Sequence, residues 1–154
     1  TQAHLVKHEL EGVDFEPSSI TSLRNSARHW NCQGLDRDCL TNEHNKFMEY
    51  FTTGSTDSIF NFCHGLRNVD TDIFRQLLNH VAYNASYGNR TNYINNLGCS
   101  LNEQNLKSLM QSSINSSNIF TDNERHNLIT NTMNRSPLGL DLGMDFISEN
   151  YASL

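Results

Sequence analysis

The sequence predicts an all-α chain. Glycine and proline are scarce, 8 and 2 of 154 residues, too few turn formers for a β-sandwich. Apolar residues recur at three- and four-residue spacings, the period of a helix face. Ser, Thr, Asp or Asn stand ahead of several of these runs, where a helix needs its first amides capped. Hydrophobic residues make up 36% and charged residues 18% of the chain, enough for one economical core. Residues 1–154 are therefore read as a single helical domain, with 1–17 as an N-terminal segment.

From Ser18 or Ser19, the residues Ile20, Leu23, Ala27 and Trp30 fall on one face of an amphipathic helix. Phe47, Met48 and Phe51 mark a second helix, and Ile59, Phe62, Cys63 and Leu66 a third, with Gly54-Ser55 as the break and Ser55 or Thr56 as a cap. Ile73, Phe74, Leu77, Leu78 and Val81 carry the strongest period, capped by Asp70 or Thr71. Tyr83 to Gly88 reads as a loop. A polar helix over Thr91–Leu97 follows and stops at Gly98, where a residue without Cβ can turn left-handed.

Ser100-Leu101-Asn102-Glu103 and Thr121-Asp122-Asn123-Glu124 both have the form of a capping box. Leu106, Leu109 and Met110 follow the first, and Leu128, Ile129 and Met133 the second. Ser136-Pro137 marks a last start, since proline loses nothing at a first helical position. That helix carries two apolar stripes, Leu138, Leu142 and Phe146 beside Leu140, Met144, Ile147 and Tyr151, which predicts packing on two sides. Seven or eight short helices suit either paired helices stacked as a solenoid or an irregular bundle.

The chain has 11 basic and 17 acidic side chains, a formal charge of −6. This argues against nucleic acid or anionic lipid as a partner. No apolar run approaches the ~20 residues of a membrane helix, so no direct membrane span is expected, and the first residues lack the order of a secretory signal. Cys32, Cys39, Cys63 and Cys99 include no Cys-x-x-Cys pair, which leaves disulfides or buried thiols. Asn84, Asn89, Asn115 and Asn134 each begin an Asn-x-Ser/Thr glycan acceptor, the last weakened by Pro137. Cysteines and acceptors together favour the extracellular face of the cell surface or secretion, with the lumen of the secretory pathway as the alternative.

Chemistry is sparse. His4 and His8 share a helical face and Glu9 follows, but Gly12 stands where His-Glu-x-x-His needs its second histidine. His29, His44, His64, His80 and His126 are spread singly, and Asp36 with Asp38 supply too few oxygens for calcium. There is no phosphate loop and no Gly-x-Ser-x-Gly elbow. No catalytic residue, metal ligand or cofactor is assigned to this chain.

From about Ser22 to Leu154 the sequence resembles the helical C-terminal domain of aminopeptidase N-like zinc metallopeptidases. Cys32-Gln33-Gly34-Leu35-Asp36-Arg37-Asp38-Cys39 is similar to that family's short bridged turn, with Asn45-Lys46-Phe47 continuing like the helix after it. Cys63 and Leu97-Gly98-Cys99-Ser100 resemble its second bridged pair. Arg135-Ser136-Pro137-Leu138-Gly139 and the run from Met144 to Tyr151 resemble its closing motif, with Tyr151 in place of a tryptophan.

The resemblance implies the pairs Cys32–Cys39 and Cys63–Cys99, and an α-solenoid of HEAT or armadillo kind forming a partial superhelix. It further implies that this is a fragment of a larger C-terminal domain, that zinc belongs to a separate catalytic domain of the parent, and that the parent removes N-terminal residues from peptides. The family's amine-recognition strand, Gly-x-Met-Glu-Asn, is missing, because Met48-Glu49 is followed by Tyr50. Implied partners are the parent catalytic domain, the peptide it encloses, and either a second copy or an external protein. Relatives continue past the position of Tyr151, so an apolar edge is expected there. The alternative is a free-standing extracellular helical-repeat adaptor that binds a protein.

Overall fold

The structure, a computed structural model, describes residues 17–54, 60–85, 87–115 and 119–154. Every regular element among them is helical. The α-helices are α1 (Ser18–Gln33), α2 (Arg37–Thr53), α3 (Phe62–Leu66), α4 (Thr71–Tyr83), α5 (Tyr87–Asn96), α6 (Glu103–Asn115), α7 (Asp122–Arg135) and α8 (Pro137–Asn150). Short 3-10 turns cover Leu97–Cys99 and Tyr151–Ser153. The His4–His8 segment and the Ser55, Thr56 and Ile59 signals lie outside the described residues.

Local signals place most helix starts. Asp70 caps α4 by accepting from the Ile73 amide at 2.9 Å, and Thr121 and Glu124 form the full capping box of α7. Ser136 caps α8 by accepting from the Gly139 amide at 3.0 Å, with Pro137 as its first residue. Two expectations are corrected. The box expected at Ser100 does not form: α6 starts at Glu103, and Asn102 accepts from the Asn105 amide at 3.1 Å. Ser100 is instead buried and accepts from the Asn105 side chain, whose amide also donates to the Val69 carbonyl. The loop expected over Tyr83–Gly88 is shorter, because α5 begins at Tyr87 rather than Thr91.

The main core joins Phe47, Leu66, Phe74, Leu77, Leu97, Leu109 and Leu128, with Phe60 and Phe62 edge-on or tilted around Phe47 and Tyr50, and Tyr93 edge-on to Phe62. A second cluster, Met110, Ile129 and Phe146, ties α6, α7 and α8. Two apolar faces stay open among the described residues. On α1, Leu23 is 71% and Trp30 70% exposed, and Cys32 is that helix's only buried residue. On α8 the first predicted stripe reaches the core through Phe146, while Leu140 and Met144 of the second are exposed. Ile147 of the second stripe packs against the Met110, Ile129 and Phe146 cluster, so that stripe is covered at Ile147 and open at Leu140 and Met144.

Gly98 is also corrected. Its backbone is not left-handed, whereas Gly54, which ends α2, has φ 77°. Gly98 is glycine because a Cβ there would lie 2.6 Å from the Thr132 Cα, a contact that real side chains do not make. We expect Gly98→Ala to destabilise the oxidised chain by about 2–3 kcal/mol in urea unfolding, through overpacking against backbone. Gly54→Ala, open in space but strained in φ, should cost about 1 kcal/mol.

Candidate functional site

Two of the buried polar side chains, Glu43 and His64, line a cleft of about 200 Å³ between α1, α2 and α3. Helix α1 supplies Asn25, Arg28 and His29, α2 supplies Glu43, and Asn61 with His64 supply the α3 side. Asn61 caps α3 by accepting from the His64 amide. Its own amide donates to Glu43 Oε2 at 2.7 Å, and Lys46 lies 3.6 Å from the other carboxylate oxygen. Glu43 and His64 are both almost fully buried.

His64 Nε2 lies 3.2 Å from His29 Nδ1, a hydrogen bond between α3 and α1. The pair is missed by sequence reasoning because 35 residues separate two histidines that no short motif links. Burial, then the charges of Arg67 and His29, lower the His64 pKa to about 4. Arg67, also buried, donates to the Cys32 carbonyl at 3.0 Å and to Gln33 at 2.8 Å, holding the last turn of α1. Burial lowers its pKa as well. Asp36 accepts from the Cys39 amide at 2.8 Å as the cap of α2. Among the described residues no group of three His, Cys, Asp or Glu side chains is placed to hold a metal ion.

The cysteines frame this cleft. Cys32 is bonded to Cys39, joining α1 to α2, and Cys63 to Cys99, joining α3 to the turn before α6. Two disulfides suit an oxidising, extracellular or secretory setting, and no described helix is long and apolar enough to cross a membrane.

The glycan acceptors lie apart from the cleft. Asn84 is the exposed residue after α4, Asn89 is exposed on α5, Asn115 ends α6 and Asn134 is exposed near the end of α7. Ser86, Ser116 and Ser117, which complete two of the triplets, lie outside the described residues. Within the second triplet, Arg90 pairs with Glu124 at 2.7 Å and donates to the carbonyls of Val81 and Ile119. Its guanidinium stands 5.0 Å from the Phe120 ring centre. The Arg90 hydrogen bond is the main reason the Glu124 carboxyl is held below its usual range.

No family model matches the chain. It is 25% identical over 137 residues to an aminopeptidase N of Plutella xylostella, an alignment covering 85% of this chain and 14% of that protein. The chain resembles one part of an aminopeptidase N. It spans far less than two thirds of that relative's length.

The disulfides differ in the length of chain they close, with sequence separations of 7 and 36. On chain-entropy grounds we expect Cys32→Ser with Cys39→Ser to cost about 2.5 kcal/mol, and Cys63→Ser with Cys99→Ser about 3.8 kcal/mol. Urea unfolding without reductant measures both. Non-reduced peptide mapping by mass spectrometry should recover these two pairs and no others.

Proposed function

We propose that the chain is the non-catalytic helical module of a secreted or membrane-anchored zinc aminopeptidase. The observation that carries this reading is the similarity to aminopeptidase N, which runs along most of this chain but occupies a small fraction of that protein. The helical architecture and two disulfides are consistent with it. In this reading zinc and the cutting groups reside in the parent's catalytic domain, and the helices cap the chamber in which a peptide loses its N-terminal residue.

The helices belong to a HEAT- or armadillo-like partial superhelix within a larger C-terminal domain. Each helix pair of such an array buries a face against the next. The exposed Leu140 and Met144 on α8 are the face that a following pair would cover. The outer surface offers a dimer contact or a docking site for an external protein, and the exposed Asn84, Asn89, Asn115 and Asn134 carry glycans on the extracellular or lumenal side.

Two measurements test the assignment. The purified chain, supplied with zinc, should show no turnover of aminoacyl chromogenic substrates. Native material captured by an antibody against the chain should show chelator-sensitive aminopeptidase activity in the same polypeptide. Native antigen that is inactive and whose full sequence lacks His-Glu-x-x-His would favour the free-standing adaptor.

A further inference from the structure

Helix α1 is the least embedded of the described α-helices. Cys32 is its only buried residue, and its Ile20, Leu23 and Trp30 side chains are exposed. Its last turn is fixed twice, by the Cys32–Cys39 bond and by Arg67 on the Cys32 carbonyl and Gln33. One turn earlier, α1 meets α3 through two imidazoles, His29 Nδ1 and His64 Nε2 at 3.2 Å. A fixed end beside a titratable contact has the form of a hinge and a catch.

We propose that the His29–His64 contact is an acid-sensitive latch, holding α1 against α3 at neutral pH and releasing it on acidification while the other helices stay folded. With one proton on the pair a donor and an acceptor still face each other, and the bond itself is lost only when both rings are charged and all four nitrogens are donors; what a single proton on His64 meets is burial beside Arg67 and His29. The charged surroundings oppose a cation at His64. Arg28 and His29 face the cleft from α1, and Arg67 follows α3. From α2 come Glu43, which spends one oxygen on the Asn61 amide and has Lys46 near the other, and His44, whose Nδ1 lies 3.4 Å from the Gly65 carbonyl.

The sign follows from where the proton is held. Docked, His64 titrates at about 4 because burial, Arg67 and His29 disfavour its charged form. Release of α1 removes His29 and part of the burial while Arg67 stays beside α3, so the released ring titrates above 4 and no higher than 6.5, and between its two values the released form holds more protons. Docking is therefore at full strength above about pH 6.5, weakens as pH falls through that window, and levels off below about 4. The whole shift corresponds to about 300-fold, which is the upper bound on the change in the docking equilibrium because Arg67 acts on the ring in both states.

The test is an NMR titration of the whole oxidised, isotope-labelled chain from pH 7.5 to 3.5, following histidine ring signals and backbone amides together. The expected result is that amides of Ser18–Gln33 change with one midpoint, shared by the His64 ring and lying between 4 and 6.5, while amides of α7 and α8 keep their native positions. His64→Gln, uncharged at every pH, should abolish that midpoint. If the variant does not fold, the wild-type coincidence of ring and amides decides by itself. The proposal is overturned by α1 amides that do not respond, by a His64 midpoint at or above 6.5, by α7 and α8 unfolding with α1, or by His64→Gln keeping the wild-type transition.

Discussion

The tightest constraint in the molecule is the backbone of Thr132, which is pressed from two sides. A Cβ at Gly98 would meet the Thr132 Cα and amide, and one at Gly139 would collide with the Thr132 carbonyl oxygen. Thr132 is completely buried and donates its hydroxyl to the Leu128 carbonyl at 2.7 Å, so it makes no demand on either neighbour. With no side chain on two of the three layers, the turn before α6, helix α7 and helix α8 stack at backbone distance. The Cys63–Cys99 bond then carries that stack to α3 through the residue beside Gly98.

Three buried or half-buried polar side chains add long-range order by joining distant segments. Asn105 reaches back to Val69, Arg67 to Cys32 and Gln33, and Arg90 to Val81, Ile119 and Glu124. Such groups are costly to bury unless satisfied, so each one specifies a single way for the loops around it to lie. This matters in a chain of short helices, where α3 has five residues and could not persist alone. The polar anchors do for the connections what the phenylalanine cluster does for the helix faces.

How much of this was legible in the sequence depends on the range of the interaction. Asp70, the Thr121–Glu124 box and Ser136-Pro137 act on amides within three residues, and their helices begin where those residues say. Ser100 misleads because its hydroxyl accepts from the Asn105 side chain, which is itself held by the Val69 carbonyl 36 residues away. Gly98 misleads because a helix stop and a close backbone approach both call for glycine, and only the position of Thr132 distinguishes them. The exposed stripes of α1 and α8 have the helical period but show no covering partner among the described residues. The His29–His64 pair was invisible, since no spacing rule connects side chains from separate helices. The resemblance to aminopeptidase N supplied what periodicity could not, a reason for two particular cysteine pairs.

One consequence concerns the optical probes built into the chain. Its sole tryptophan, Trp30, is 70% exposed on α1, so its emission is already that of an indole in water and will scarcely register melting of the core. Tyr93 is the opposite case: buried between Phe62 and His80, its phenol is pushed up to about 12 by burial and by Tyr50. In ultraviolet difference spectra the tyrosine step near pH 12, separate from that of the exposed Tyr83 and Tyr151, therefore watches the centre of this molecule, while indole fluorescence watches its rim.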